Sequence, residues 1–295
     1  MTKEIILLDG GMGQELVHRA GDNPTALWST QVMMDHPGLV AEVHRDYFDA
    51  GATIATTNTY AIHRDRLVTA GIPHAFDTLH GAALKEANAE KRPGTRVAGA
   101  IGPLIASYRP DIHPGYDEAL PLYAEVTDIL APSVDLIICE TVASVDHAKS
   151  VLAAAMRAGK PVWMAFTVDD EDGTKLRSGE PLADAIAVCD GADALLANCS
   201  SPESIDDAMP VLAQSGKPFG GYANAFTMIT KEFLQTEPTV DALQERRDMG
   251  PDVYAAHVMH WVALGATIVG GCCEVGPAHI KAIASALHDA GHRII

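Results

Sequence analysis

The 295-residue chain has few basic side chains, and it lacks any run of about 18 or more apolar residues, the length that a transmembrane helix requires. Its first residues, Met1-Thr2-Lys3-Glu4, lead into a short strand pattern rather than a signal peptide, so we expect a cytoplasmic protein that does not bind membranes. Lys and Arg number 21 against 39 Asp and Glu, which gives a net charge of −18. Because such a chain repels polyanions, the composition excludes a nucleic-acid partner.

Cysteine is also scarce, with five in the chain. An odd number of cysteines in a long chain argues against a disulfide framework and favours a reducing compartment. No low-complexity linker or long charge run divides the sequence. The 295 residues could form two average domains, but one α/β barrel of about 250 residues with additions fits equally well.

Short apolar runs alternate with amphipathic helical stretches along the whole chain, which is typical of βαβ units. Several helical stretches end in glycine just before the next apolar run, as at Gly51-Ala52 and Gly265-Ala266. We therefore predict a single domain over residues 1–295 with the α/β fold of a (β/α)8 TIM barrel. The predicted strands are Ile5–Leu8, Thr53–Thr57, Arg96–Ala100, Leu136–Cys139, Val162–Thr167, Ala194–Ala197, Phe219–Tyr222 and Thr267–Val269. The predicted helices are Leu39–Ala50, Thr78–Asn88, Asp117–Leu130, Ser144–Ala158, Pro202–Gln214, Asp252–Leu264 and Pro277–Asp289.

Polar residues and glycines follow the predicted strands, at the end of a barrel where active sites lie. Each of them alone is ordinary loop chemistry, but together they predict a site on one rim. The residues are Asp9-Gly10-Gly11-Met12-Gly13, Thr57-Asn58-Thr59-Tyr60, Gly102-Pro103, Glu140-Thr141, Asp169-Asp170, Asn198-Cys199, Asn224 and Gly271-Cys272-Cys273.

Two adjacent cysteines, Cys272 and Cys273, follow the last predicted strand. Adjacent Cα atoms lie about 3.8 Å apart, whereas a disulfide prefers roughly 4.4–6.8 Å, so shared metal ligation is the better use of this pair. Cys199 supplies a third thiol at another strand end, and three thiolates form a plausible Zn²⁺ site with one open position. Buried structural cysteines beside a glycine turn fit the same pattern, so both interpretations stay open.

The motifs from the first strand to the last resemble those of the homocysteine S-methyltransferase family, over nearly the whole chain. They are Asp9-Gly10-Gly11-Met12-Gly13, Thr57-Asn58-Thr59-Tyr60, Ile101-Gly102-Pro103, Glu140-Thr141, Asn198-Cys199-Ser200-Ser201-Pro202 and Gly270-Gly271-Cys272-Cys273. The resemblance implies a (β/α)8 barrel and a Zn²⁺ cofactor held by Cys199, Cys272 and Cys273. It also implies that Asp9 and Glu140 hold the amino group of homocysteine. Glu274-Val275 after the cysteine pair departs from the usual pattern, which puts the methyl donor in doubt rather than the metal.

Methyl transfer to homocysteine requires a thiolate, yet a free thiol has a pKa near 8.5 and is mostly protonated at neutral pH. A coordinating thiol is deprotonated outright, which is the chemistry that zinc would supply. Homocysteine also has a carboxylate, for which we expect donors from the backbone N–H groups of Gly10 and Gly11. Asn198, in the motif that contains Cys199, completes the predicted substrate-binding set.

The methyl donor is expected to be a sulfonium, with S-methylmethionine favoured over betaine, dimethylsulfoniopropionate or S-adenosylmethionine. A cationic donor needs aromatic faces or carboxylates, and Trp28 and Tyr60 are the best-placed aromatic residues. The betaine branch of the family typically has Tyr after the strand-four glutamate, where this chain has Thr141.

Two other functions remain open from the sequence. One is a metal-dependent hydrolase on the same barrel, with Asp169 or Asp170 as general base, although an all-sulfur ligand set argues against it. The other is a non-catalytic zinc-binding or methyl-accepting module of a larger complex. The expected partners are small-molecule substrates. The sequence leaves open the oligomeric state and any preference for selenohomocysteine or another thiol.

Overall fold

The computed structural model describes residues 2–21, 27, 29–226, 229 and 246–295. The strands are β1 (Glu4–Leu7), β2 (Ile54–Thr56), β3 (Arg96–Ile101), β4 (Leu136–Val142), β5 (Val162–Phe166), β6 (Ala194–Asn198), β7 (Phe219–Ala223), β8 (Ile268–Gly271) and β9 (Arg293–Ile294). They pair in parallel, and the order of hydrogen-bonded neighbours in the sheet is β2-β3-β4-β5-β6-β7-β8-β1-β9.

Backbone hydrogen bonds between β1 and β2 close the sheet into a barrel. The Thr53 N–H donates to the Leu7 carbonyl at 2.7 Å, and the Asp9 N–H donates to the Ile54 carbonyl at 3.1 Å. β8 pairs with the other edge of β1, so the first eight strands form a ring. The predicted (β/α)8 barrel and its eight strands are therefore confirmed.

The short strand β9 was not predicted. It pairs with the start of β1, opposite Glu4 and Ile5, on the part of that edge that β2 does not cover. Two residues give no alternating pattern that could be detected in a sequence. β9 lengthens the seam of the barrel, where the Thr53 hydroxyl donates to the Ile295 carbonyl at 2.7 Å.

Helices surround the strands, and the seven predicted helices are confirmed within a few residues at each end. Four shorter helices were not predicted, and they are Met12–Ala20, Ser29–Asp35, Arg64–Thr69 and Leu182–Ala187. The α-helices in chain order are α1 (Met12–Ala20), α2 (Ser29–Asp35), α3 (Leu39–Ala50), α4 (Arg64–Thr69), α5 (Phe76–Ala89), α6 (Tyr116–Leu130), α7 (Val145–Ala155), α8 (Leu182–Ala187), α9 (Pro202–Ala213), α10 (Pro251–Leu264) and α11 (Pro277–Asp289). Within the described ranges, no helix has the length and apolarity needed to cross a membrane.

The alternation of side chains along each strand divides the core into two layers. In β4, Leu136 and Ile138 belong to the cluster inside the barrel, whereas Ile137 and Cys139 belong to the layer between strands and helices. Glu140 is in phase with Ile138, and the alternation therefore directs it into the barrel. The same alternation along β4 places Cys139 in the helix-facing core.

Candidate active site

The carboxyl ends of the strands enclose a cavity of about 90 Å³. It brings together most of the residues predicted from the sequence, on loops or strands that are far apart along the chain. Its lining includes Asp9, Gly10, Gly11, Tyr60, Tyr108, Glu140, Cys199, Tyr222, Cys272 and Cys273. The predicted donor-binding residue Trp28 lies outside the described residues.

Three cysteines form one wall of this cavity. Cys199 follows β6 with a left-handed backbone, φ 47°, and Cys272 follows β8, where its N–H donates to the Ala223 carbonyl at 2.8 Å. The sulfur atoms of Cys199, Cys272 and Cys273 all lie within 4.8 Å of one another. The ends of two strands therefore bring together thiols that are separated by 73 residues in the sequence.

Cys199 and Cys272 are joined by a disulfide bond, with Cα atoms 5.7 Å apart, and Cys273 is a free thiol. This single bridge is not a disulfide framework of the kind that the odd number of cysteines argues against. It arises because the two strand ends hold these sulfurs as neighbours. Since a metal binds thiolates, the bridge and metal binding exclude each other, and metal binding requires the reduced form.

The donor set fits a zinc ion. Among the described residues, these cysteines are the group of His, Cys, Asp or Glu side chains whose ligand atoms are close enough to share an ion. Burial, followed by the negative charge of Glu274, raises the pKa of the Cys273 thiol to about 12. A thiolate at this place therefore needs a nearby cation, and three sulfur ligands are typical of Zn²⁺.

Two carboxyl groups line the same cavity as the thiols. Asp9 is buried, and its carboxylate accepts hydrogen bonds from the Thr56 N–H at 2.7 Å and the Thr56 hydroxyl at 2.9 Å. Glu140 is partly exposed to the cavity and accepts a hydrogen bond from the Tyr222 hydroxyl at 3.1 Å. Burial raises the pKa of Asp9 to about 8 and that of Glu140 to about 7. An ammonium group between them would favour the ionised form of both.

The two glycines after β1 allow close backbone packing against the loop that follows β8. A Cβ atom at Gly10 would lie 2.0 Å from the Val275 carbonyl oxygen, and one at Gly11 would lie 2.5 Å from the Cys272 carbonyl oxygen. The Gly11 N–H donates to the Val275 carbonyl at 2.9 Å. The fold already uses that donor, and the expectation that the Gly11 N–H also binds the substrate carboxylate stays a prediction.

Asn198 connects the end of β4 to Cys199 through hydrogen bonds of its side chain. Its side-chain oxygen accepts a hydrogen bond from the Thr141 N–H at 3.0 Å, and its amide N–H donates to the Cys199 sulfur at 3.4 Å. Thr141 has a left-handed backbone, φ 57°, directly after Glu140. Asn198 does not line the cavity, so its observed contacts position Glu140 and Cys199, and the predicted contact with substrate stays a prediction.

Aromatic residues line the cavity, and two of them have roles that the sequence analysis missed. Tyr60 was predicted, and its hydroxyl is 2.8 Å from the Ser107 hydroxyl. Tyr222 was predicted only as the last residue of a strand, yet it donates to Glu140. Tyr108 lies beyond the Gly102-Pro103 segment and has a left-handed backbone, φ 61°. Tyr108 could have been predicted as a cavity residue, because it is an aromatic residue in a loop that the sequence already assigned to the rim.

The two aspartates proposed as general bases for a hydrolase do not line the cavity. Although burial acts to raise it, the pKa of Asp170 is lowered overall, because Arg177 donates hydrogen bonds of 2.7 and 2.8 Å to its two oxygens. Asp169 accepts hydrogen bonds from the backbone N–H groups of Glu171 and Asp172, at 2.9 and 3.1 Å. Both carboxylates organise the loop after β5, and neither has the position of a catalytic base.

Comparisons with known proteins agree with this geometry. The family model described as homocysteine S-methyltransferase matches residues 6–287. The homocysteine S-methyltransferase of Escherichia coli (strain K12) is 30% identical over 308 residues, covering 95% of this chain and 94% of that protein. The homocysteine S-methyltransferase YbgG of Bacillus subtilis (strain 168) is 26% identical, covering 96% of this chain and 95% of that protein.

A solved structure shows the same likeness in three dimensions. The metallated form of the homocysteine methyltransferase MmuM from Escherichia coli superimposes with a TM-score of 0.80 at 27% identity, covering 96% of each chain. Because the family model spans almost the whole sequence, the chain belongs to the homocysteine S-methyltransferase family.

Proposed function

We propose that this enzyme transfers a methyl group from a sulfonium donor, with S-methylmethionine favoured, to the thiol of homocysteine, and so produces methionine. One observation supports the proposal above all. Three cysteine sulfurs within 4.8 Å of one another share a cavity with the carboxyl groups of Asp9 and Glu140. Such a cavity offers a thiol-binding group and an ammonium-binding group to a single small amino acid.

The carboxylates of Asp9 and Glu140 would bind the ammonium group of homocysteine. Both oxygens of Asp9 are fixed by Thr56, and Glu140 is fixed by Tyr222. These contacts hold the acceptors in place before the substrate arrives, which reduces the entropy lost on binding. The backbone N–H of Gly10 remains our proposed donor to the substrate carboxylate.

Zinc would be held by Cys199, Cys272 and Cys273 in the reduced protein. When bound, it would supply the positive charge that binds the homocysteine sulfur and keeps it as a thiolate at neutral pH. Three thiolate ligands would lower the net charge of the site, so the substrate sulfur would keep its nucleophilicity. Glu274, directly after these ligands, adds further negative charge on the chain.

The transfer itself is a displacement at carbon. A bond forms between the homocysteine sulfur and the methyl carbon, and the bond from that carbon to the donor sulfur breaks with its electron pair remaining on the donor. A sulfonium donor therefore leaves as a neutral thioether, and S-methylmethionine gives a second molecule of methionine. The step needs no general base, so positioning by the cavity supplies much of the rate acceleration.

A side-by-side assay tests the function and the donor together. The protein is reduced, loaded with zinc and incubated with homocysteine and each of four donors: S-methylmethionine, S-adenosylmethionine, dimethylsulfoniopropionate and betaine. We expect methionine formation to be fastest with S-methylmethionine and to stop after chelation of the metal. Faster turnover with betaine than with any sulfonium would contradict the donor, and no methionine from any donor would contradict the function.

The remaining expectations from the sequence stay predictions. They are a cytoplasmic location, the absence of a nucleic-acid or membrane partner and a single domain over residues 1–295. The hydrolase is not favoured by any contact at the site, since Asp170 is paired with Arg177.

A further inference from the structure

The Tyr108 ring separates the thiol cavity from a second, larger space. It lines both the cavity of about 90 Å³ and an outer groove of about 780 Å³. Only 5% of the residue is exposed, and its ring packs with Cys199 and Phe226. A molecule that reaches the thiols from the groove must therefore pass this ring.

Contacts on both sides hold the Tyr108 loop in place. The Ser107 hydroxyl is 2.8 Å from the Tyr60 hydroxyl, and the Leu104 N–H donates to the Tyr123 hydroxyl at 3.2 Å. Tyr108 itself has a left-handed backbone, φ 61°, which is unfavourable for a residue with a large side chain. Such a conformation persists where the surrounding contacts determine it, and it occurs most often at binding sites.

Arg177 lies over the same ring from the groove side. Its guanidinium carbon is 5.6 Å from the centre of the Tyr108 ring, and its side chain is 10% exposed. Two N–H groups donate to Asp170, and the Nε–H donates to the Thr167 hydroxyl at 3.3 Å. Two of the five guanidinium N–H donors therefore have no partner among the described residues. This arginine is fixed in place and still able to bind a second anion.

The inner cavity, of about 90 Å³, is much smaller than the groove, of about 780 Å³. With homocysteine between the thiols and the carboxylates, a second substrate must extend outward. Aromatic rings stabilise a positive charge at their faces, and the arginine fork matches a carboxylate. The route from the inner cavity to the groove therefore offers the Tyr108 ring to the sulfonium charge of the donor and the Arg177 guanidinium to its carboxylate.

We propose that the methyl donor lies across Tyr108, with its sulfonium centre on the thiol side of the ring and its carboxylate at Arg177 in the groove. The inference rests on the proposed function and extends it to the donor class. The donors taken by this site are sulfonium compounds that have a carboxylate, and simple alkyl sulfoniums are poor donors.

The test compares two donors that differ only in the carboxylate. S-methylmethionine is set against 3-aminopropyl(dimethyl)sulfonium, which is the same molecule without that group. The wild-type enzyme should show a KM for S-methylmethionine that is about tenfold lower. In Arg177→Lys, which keeps a positive charge beside Asp170 but loses the fork, KM should rise about tenfold for S-methylmethionine and stay unchanged for the analogue.

Homocysteine KM and zinc content separate binding from a structural role. Both should be the same in Arg177→Lys as in the wild type. An equal rise in KM for both donors would show that Arg177 only supports the loop, and equal KM values for the two donors in the wild type would overturn the proposal even if the variant does not fold.

The ring is tested by Tyr108→Phe and Tyr108→Leu. Phenylalanine keeps the aromatic face and should bind both donors normally, whereas leucine should raise KM about fivefold for both. Arg64→Met is the matched control for the arginine on the ring. Like Arg177, Arg64 lies over an aromatic ring, that of Phe76 at 4.2 Å, and it pairs with Glu125 outside the site. Donor KM should not change in this control. A Tyr108→Leu enzyme with the wild-type donor KM would refute the role of the ring.

Calorimetric titration of S-methylmethionine into the zinc-loaded protein measures donor binding without turnover. One outcome is that S-methylmethionine binds more weakly to Arg177→Lys than to the wild type, while the wild type makes no methionine. That outcome would refute the proposed function and support the donor site. If the wild type makes methionine from S-methylmethionine, and this donor binds equally well to the wild type and to Arg177→Lys, the proposed function stands and the donor site is refuted.

Discussion

At the scale of single residues, the cavity holds acidic groups that its surroundings keep partly protonated. Burial raises the pKa of Asp9 to about 8 and that of Glu140 to about 7, although each accepts hydrogen bonds that act in the opposite direction. Groups with raised pKa values in a cavity are common at functional sites. The positive charge of an incoming ammonium group would favour the ionised form of both carboxyl groups.

Glu140→Gln should chiefly weaken homocysteine binding. The amide can still accept the hydrogen bond from Tyr222, but it loses the charge-assisted bond to the ammonium, worth about 1.5–3 kcal/mol. The KM for homocysteine should therefore rise about tenfold to a hundredfold, with zinc content unchanged. The control is Glu118→Gln on the exposed surface of α6. An unchanged homocysteine KM in Glu140→Gln would refute the role of this carboxylate.

Cys273→Ser should lower bound zinc and abolish methyl transfer. A site with three protein ligands has no spare thiolate, and a serine hydroxyl is a much poorer ligand. Metal analysis of the reduced protein measures the effect, and circular dichroism checks that the barrel persists. Cys189→Ser is the matched control, because Cys189 is a buried free cysteine that does not line the cavity. Full zinc occupancy in the Cys273→Ser protein would rule out this ligand assignment.

At the scale of secondary-structure elements, the site depends on how closely the ends of neighbouring strands approach. The loop after β1 packs on the loop after β8 through Gly10 and Gly11, and the Gly11 N–H donates to the Val275 carbonyl. The β4 strand continues to Val142, so Glu140 belongs to the strand rather than to the loop that follows. Asn198 at the end of β6 connects these two regions through Thr141 and Cys199.

Gly11→Ala should damage the site through the backbone. The added Cβ would lie 2.5 Å from the Cys272 carbonyl oxygen, so the segment with Cys272 and Cys273 must move. We expect a lower melting temperature and reduced zinc binding, since a misplacement of about 1 Å is enough to impair catalysis strongly. Gly81→Ala in α5 is the control. A Cβ at Gly81 would have no atom of the described residues within 4 Å, and alanine has a higher helix propensity than glycine. Equal zinc affinity in Gly11→Ala and the wild type would contradict the expected movement.

At the scale of the whole molecule, the raised pKa values make the stability of the barrel depend on pH. A carboxyl group whose folded pKa lies above its unfolded pKa binds more protons when folded, so the free energy of unfolding decreases as pH rises between the two values. For Glu140 this window runs from 4.5 to about 7. Acidic residues at the site therefore oppose folding at neutral pH while they prepare the cavity for a cation.

The zinc-free, reduced Glu140→Gln protein should be more stable than the wild type at pH 8, and the difference should disappear toward pH 4.5. The shift from 4.5 to about 7 sets an upper limit of about 3 kcal/mol, which water in the cavity reduces. Urea unfolding at several pH values measures this difference. Glu118→Gln, on the exposed surface of α6, is the control variant. A stability difference for Glu140→Gln that is independent of pH would refute the sign of this coupling.

The sequence by itself determined the architecture and most of the site. Short apolar runs and amphipathic stretches of period 3.6 predicted eight strands and seven helices, because these patterns follow from local backbone geometry and burial. In a parallel barrel the residue after each strand lies on the same rim, so Asp9, Cys199 and Cys272 were predicted to meet before any distance was known. Glu140 was predicted to join them for the same reason.

Only the tertiary structure decided how these residues interact. The Tyr222 hydroxyl bonds to Glu140 across 82 residues, and no local pattern predicts such a contact. The Gly11 N–H proved to be used by the fold, Asp170 proved to be paired with Arg177, and Tyr108 proved to separate two cavities. Burial, pKa and the partner of a hydrogen bond depend on distances between segments that are remote in sequence. Periodicity determines which face a side chain occupies, and three-dimensional packing determines what it meets there.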